Sequence, residues 1–301
     1  AYTWTGMLDF AGPVQTLLRD MTGWGYGDYW FPPIRSLGGA IAMLTLVLYP
    51  YVYMLARVAF LEQPQALFDA ARSLNATPTE RFWRIALPMA RPAIFTGLAL
   101  ALMETLADYG TVQYFGLPTF TTGIFRVWYG MDDSVAAVQL SALLLFFVFS
   151  LVVLEAWSRR KRRFFQSTGT THRRAKLPLQ GRHVLIAWLI CTLPILLGFA
   201  LPALQLLNWA ISTAETGLDA RFIQLTGNSV LLAAVTAFLA VAMALFLGYS
   251  RRLHPTRAIR TAVRTTSMGY AIPGTIIAVG VIVLMRARRR GVTADQAGKA
   301  A

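Results

Sequence analysis

Long apolar runs alternate with short charged segments along this chain. The first run covers residues 37–61, and no charged side chain falls between Gly38 and Ala56. About 20 apolar residues cross a hydrocarbon core as a helix, so each run of this kind predicts a membrane span. Further spans are predicted over about 92–107, 135–156, 184–207, 229–249 and 266–285. Prolines punctuate them. Pro50 predicts a kink in the first span and a carbonyl freed one turn earlier, at Leu46. Pro194 and Pro202 predict kinks in the fourth, and Pro273–Gly274 interrupts the sixth. Residues 1–35 read as an aromatic, loop-like segment in which Tyr29, Trp30 and Phe31 suit a membrane interface. The pattern predicts an all-α integral membrane protein, a polytopic transmembrane helix bundle of about six spans.

One hydrophilic stretch, residues 64–92, reads differently. Leu67, Ala70, Ala71 and Leu74 recur at helical spacing and predict one apolar face. Pro64 suits the first helical position, and Asn75 suits a left-handed helix end. A second helix is predicted to start at once: Thr77 can cap it, Pro78 fits the first position, and Glu80 completes a capping box. Phe82, Ile85 and Ala86 then form the next apolar face. The stretch predicts a helical hairpin between two spans.

Composition agrees with a membrane protein. The chain is 56% hydrophobic and 14% charged, with a mean hydropathy of +0.51, whereas soluble domains are nearer a quarter charged. A net charge of +14 would fit nucleic acid if the arginines covered a soluble face. They cluster between apolar runs instead, so the reading is a lipid bilayer partner and no nucleic acid. Segments 62–91, 158–183 and 250–265 together hold 18 of the 28 lysines and arginines. The positive-inside rule therefore puts them, and the hairpin, in the cytoplasm. The tail breaks the rule with arginines at 286, 288, 289 and 290: either 266–285 turns back without crossing, or residues 286–301 are a non-native or uncommitted tail, the reading preferred. Cys191 lies inside an apolar run and reads as a small buried hydrophobe. His172, His183 and His254 have no metal-ligand spacing.

The string FDAARSLNATPTERFWRIALP resembles the EAA loop of permease subunits of binding-protein-dependent ABC transporters. Asp69 stands for the usual Glu, Ala70 and Ala71 match, Asn75 stands where glycine is usual, and Ile85, Leu87 and Pro88 close the motif. The resemblance implies that the loop docks on a separate ATPase, with Asp69, Ala70, Ala71, Arg72, Asn75, Pro78, Ile85, Leu87 and Pro88 as the coupling residues. Other strings, among them TGMLDFAGPVQ, METLADYGTVQYFGLPTFTTGIFRVWYGM and SMGYAIPGTIIAVGV, resemble iron(III)-transport permeases, in which two permease halves are fused.

The expectation is then the later part of a first half (1–157, with the loop at 64–92), a basic linker (158–183) and the early part of a second half (184–285). Such a piece lacks the start of the first half and the end of the second. The resemblance implies ferric iron as cargo, with thiamine, polyamine or phosphonate permeases as the alternative. It also implies ATP-binding cassette ATPase subunits and a periplasmic substrate-binding protein as partners, in a bacterial inner membrane.

Glu104 and Asp108 are four residues apart and share one helix face. Acidic groups in or beside a span are functional candidates, so both, with Tyr109, are candidates for a translocation path. The alternatives are a watery outer interface or pairing with Arg126. Hard oxygen ligands would suit passage of Fe³⁺, with no metal bound permanently. No Gly-x4-Gly-Lys-Ser/Thr loop surrounds Lys161, Lys176 or Lys299, and no nucleophile elbow, zinc motif or dinucleotide fingerprint occurs. The expectation is a transport subunit without cofactor or catalytic residues. A secondary transporter using Glu104 and Asp108 is the rival reading, and the EAA-like loop argues against it.

Overall fold

The computed structural model describes residues 1–25, 27–160, 181–213, 219–253, 256–268, 272–283 and 285. The central part of the predicted linker and the tail from 286 lie outside the described residues. Among the described residues the structure is helical, without strands. The chain divides into two compact units, residues 1–199 with 273–301, and residues 200–272.

The first unit opens with two short helices, α1 (Tyr2–Leu8) and α2 (Pro13–Thr22), where the sequence reading expected loop. The signals for α2 were present: Pro13 sits in its first turn, and Gly23 ends it in the left-handed conformation with φ +71°. The first span, α3 (Leu37–Leu61), begins where predicted, with the Ser36 hydroxyl accepting from the Gly39 amide. The hairpin follows as α4 (Gln65–Ser73) and α5 (Pro78–Arg81).

The second span corrects the expected boundary at Pro92. A π-helical turn, Phe82–Ala86, joins α5 directly to α6 (Leu87–Ala107), so the backbone is helical from 78 to 107. Pro88 explains the turn. A proline in a helix cannot donate and crowds the carbonyl four residues back. Inserting one residue shifts the ladder, and the Leu87 amide reaches the Phe82 carbonyl. The same arrangement recurs in the fourth predicted span. There α10 (Arg182–Ile195) leads into a π turn (Leu196–Ala200), and α11 (Leu201–Ser212) carries Pro202 in its first turn. Both sites read Ala-Leu-Pro, at 86–88 and 200–202.

The predicted connection after α6 is itself structured. It holds α7 (Gly110–Tyr114), α8 (Phe120–Phe125) and a π turn (Arg126–Gly130), before α9 (Ser134–Arg160) forms the third span. α3 packs on α6, and α6 and α8 pack on α9. The buried stripe of α9 is Ala137, Ser141, Leu144 and Val148, which is coiled-coil spacing. The other face, with Phe146 and Phe149, is exposed. In a bilayer that face meets acyl chains, which are as apolar as leucine, so helix contacts must rest on close packing rather than water exclusion. Small residues provide it. A Cβ on Gly97 would lie 2.7 Å from Val52 Cα and 2.9 Å from the Tyr51 carbonyl oxygen. A Cβ on Gly198 would lie 2.5 Å from the carbonyl oxygen of Leu46, the group that Pro50 frees.

The second unit contains α11, α12 (Ala220–Leu253) and α13 (Arg257–Met268), with α12 and α13 in contact. Among the described residues, five helices are long and apolar enough to cross a membrane. The sixth expected span is corrected. Its first residues, to Met268, belong to the amphipathic α13, and the apolar helix resumes only at Gly274–Val283. Proline at 273 accounts for the break, since the residue before proline is driven out of helical conformation. Cys191 is also corrected: it is exposed on α10 rather than buried, which suits a lipid-facing small hydrophobe.

Replacing Gly97 by leucine is expected to force α3 and α6 apart, at about 1–3 kcal/mol for an overpacked contact. Thermal unfolding in detergent measures this. Gly123→Ala, where an added Cβ meets nothing within 4 Å, is expected to leave the transition unchanged.

Candidate functional site

The hairpin between α3 and α6 is rigid for reasons already legible in its sequence. Asn75 has φ +55°, the left-handed conformation that Asn tolerates better than most residues. It follows the last turn of α4, where the Asn75 amide donates to the Arg72 carbonyl and the Ala76 amide to that of Ala71. The capping box is complete: the Glu80 amide donates to the Thr77 hydroxyl, and the Thr77 amide to the Glu80 carboxylate. That amide hydrogen bond, then the one from the Thr77 hydroxyl, hold the Glu80 carboxyl below its ordinary range. Pro78 occupies the first turn as predicted, whereas Pro64 is the N-cap and α4 begins at Gln65.

The apolar face of α4 is not the predicted one. Phe68 and Ala71 are buried, while Leu67, Ala70 and Leu74 point outward, Leu74 at 82% exposure. An outward apolar stripe at i, i+3 and i+7 has no role in the hairpin's own packing. Beside it, Asp69 and Arg72 pair at 3.1 Å, both about half exposed. In the second arm Ala86 is buried, Ile85, Leu87 and Pro88 are half-buried, and Phe82 is exposed. Phe82 stacks on Phe60 of α3, with ring centroids 6.2 Å apart.

Sequence reasoning missed Gln63. Its side chain is buried and donates from Nε2 to the Ala86 carbonyl at 2.8 Å. This bond ties the start of the hairpin to the π turn that ends it. A glutamine beside a proline carries no pattern that could have signalled it. Glu155 was also missed. The Thr96 hydroxyl lies 3.0 Å from its Oε1 and 2.9 Å from the Pro92 carbonyl oxygen, so one polar contact links α6 to α9.

A second feature is a cavity of about 350 Å³ between α3 and the end of α6, lined by Val47, Tyr51, Glu104, Asp108 and Thr111 among others. Both sequence candidates reach it, and both are half-buried. They are not equivalent. The Asp108 carboxylate accepts from the Val112 amide at 3.1 Å and the Thr111 amide at 3.5 Å, so it caps α7. Its backbone carbonyl accepts from the Thr121 hydroxyl. Tyr109 does not line the cavity; its ring lies against Phe125, centroids 4.4 Å apart.

Residues 17–163 match the family described as binding-protein-dependent transport system inner membrane component. The matched segment has the hairpin at its centre, and several helices long and apolar enough to cross a membrane accompany it among the described residues. The Fe(3+)-transport system permease protein FbpB 2 of Haemophilus influenzae is 25% identical over 254 residues, covering 83% of this chain and 50% of that protein. A probable sulfate transport system permease protein cysT of Chlorokybus atmophyticus is 40% identical over 76 residues, covering 25% of this chain and 26% of that one. The spermidine/putrescine transport system permease protein PotB of Haemophilus influenzae is 29% identical over 152 residues, covering 46% and 51%. The chain thus spans about half the length, or less, of these curated relatives. No solved structure matches it.

Asn75→Gly is expected to leave hairpin stability unchanged or raise it, because glycine enters the left-handed region freely. Asn75→Val is expected to cost about 1–2 kcal/mol. Limited proteolysis within 64–92 reads the difference as faster cleavage of the valine variant alone.

Proposed function

We propose that this chain forms part of the membrane pore of an ATP-driven importer and receives motion from a separate ATPase through the hairpin. The observation that carries the reading is the outward apolar stripe of Leu67, Ala70 and Leu74 on a hairpin continuous with a span. A partner groove can bury this stripe, with the Asp69–Arg72 pair at its rim. Asn75, Pro78, Ile85, Leu87 and Pro88 keep the hairpin's shape rather than touch the partner. A push on the hairpin moves α6 as a unit, since the 78–107 backbone has no flexible joint. The basic segments argue for a cytoplasmic hairpin in a bacterial inner membrane, with a periplasmic binding protein delivering cargo on the other side.

The cargo proposed is ferric iron. The iron-permease relative covers far more of this chain than the sulfate and polyamine relatives do, and a cavity with two carboxylates favours a cation over sulfate. Glu104 is the residue proposed to meet the ion. Asp108 supports the cavity wall through its cap on α7. A polyamine is the alternative cargo, favoured by the same acidic cavity.

Two measurements check this reading. Leu67→Asp with Leu74→Asp, both at exposed positions, is expected to reduce co-purification of the cognate ATP-binding cassette subunit at least about tenfold, the range for losing an interface anchor. Undiminished capture would sink the coupling role. In the assembled transporter, Glu104→Gln is expected to lower iron uptake with assembly intact, while Asp108→Asn lowers thermal stability as well. Unchanged uptake in the glutamine variant removes Glu104 from the path.

A further inference from the structure

The second unit carries a feature that the importer reading does not use. α13, residues Arg257–Met268, is sharply two-sided. At 100° per residue, Arg257 and Arg260 fall on one side and Ala258, Ile259, Ala262 and Val263 on the other. Arg257 and Arg260 are exposed, as are Arg251 and Arg252 in the last turn of α12. Ile259 and Val263 are half-buried, while Ala258 and Ala262 remain exposed. The apolar face is therefore only partly used by packing within the unit.

The basic side has no internal counter-charge. No Asp or Glu occurs between Ala220 and Ile272, and among the described residues none of these four arginines is in an ion pair. The position of α13 is also constrained. α12 is an apolar, membrane-length helix ending at Leu253. Residues 254–256 separate it from α13, and three residues reach only about 10 Å at full extension. That is close to the Debye length at physiological salt. α13 thus starts within electrostatic reach of the surface from which α12 emerges.

We propose that α13 lies in the membrane interface and, with Arg251 and Arg252, binds the anionic phospholipid headgroups of the leaflet around the end of α12. Its exposed alanines enter the headgroup–acyl boundary, and the arginines reach lipid phosphates from its flanks. An amphipathic helix binds in this way through buried apolar area plus attraction to anionic lipid. The inference rests on the importer reading only for which leaflet is meant.

The test uses the full chain with Cys191→Ser, carrying a nitroxide at Ala262→Cys or Thr261→Cys, in nanodiscs of phosphatidylcholine with or without phosphatidylglycerol. Lipid binding predicts that phosphatidylglycerol raises oxygen accessibility and lowers nickel-chelate accessibility at 262, while 261 stays water-accessible. Replacing Arg251, Arg252, Arg257 and Arg260 by glutamine is expected to abolish this response, and replacement by lysine to preserve it. Phosphatidylglycerol enrichment around the protein is expected to fall with each arginine lost. Circular dichroism of the glutamine variant checks that the helices persist. Equal accessibilities in the two lipid compositions, or a lipid response that survives in the folded glutamine variant, would overturn the proposal. Abolition of the response by millimolar glycerol phosphate would overturn it too, by marking a soluble-phosphate site. None of these readouts involves transport or an ATPase, so the result stands apart from the importer reading.

Discussion

An unbroken helical backbone from Pro78 to Ala107 is the constraint on which the first unit depends. Inside a bilayer every backbone donor and acceptor must find a partner within the protein, yet this segment contains Pro88 and Pro92. A proline-induced break would separate the hairpin from the span and leave it a loose loop. The π turn at 82–86 absorbs the Pro88 defect by shifting hydrogen-bond register. Gln63 supports it by donating to the Ala86 carbonyl at the end of that turn. Further along, the Thr96 hydroxyl approaches the Pro92 carbonyl and the Glu155 carboxylate together. The continuity of this helix therefore comes from compensating for its prolines.

Packing around this helix follows a different logic from a soluble core. Most of the apolar surface of α9 and α10 is exposed and would meet lipid, so burial of leucine or phenylalanine does not distinguish the native arrangement from others. Close backbone approach does. Gly97 lets α6 touch the backbone of α3, and Gly198 lets the π turn after α10 rest on the Leu46 carbonyl. Contacts of this kind are lost with the addition of a single methyl group, which gives them specificity that broad apolar faces lack.

Polar groups near the membrane are held in different ways. Glu104 and Asp108 share a cavity, and only the geometry separates their roles. Asp108 has its carboxylate engaged by two amides at the start of α7. A carboxylate so engaged is fixed at the cavity wall, and Glu104 lies on α6 itself. The hairpin divides its residues similarly. Ala71 is used inside the fold, while Ala70 is left outside with Leu67 and Leu74.

The sequence by itself determined the helical class, the ends of α3, the hairpin with its left-handed Asn75 and its capping box, and the disturbances at Pro202 and Pro273, whereas the π turn ahead of Pro88 was not foreseen. All of these depend on local rules: twenty apolar residues, a cap three residues before its partner, a missing amide. The tertiary structure alone decided which faces point inward. The run LLLFFVF in α9 has no periodicity that marks Leu144 and Val148 as buried and Phe146 as exposed, because lipid and protein interior are equally apolar solvents. The inward face of α4 was assigned to the wrong stripe because Phe68 and Ala71 compete with Leu67, Ala70 and Leu74 as an apolar set, and only packing chooses between them. The start of the sixth expected span was also misplaced at this level. Residues 266–285 are apolar enough on average, yet the helix ending at Met268 belongs to an amphipathic element whose arginines lie upstream of the averaged window. Hydropathy measures how much apolar surface a segment has, and only packing decides where that surface goes.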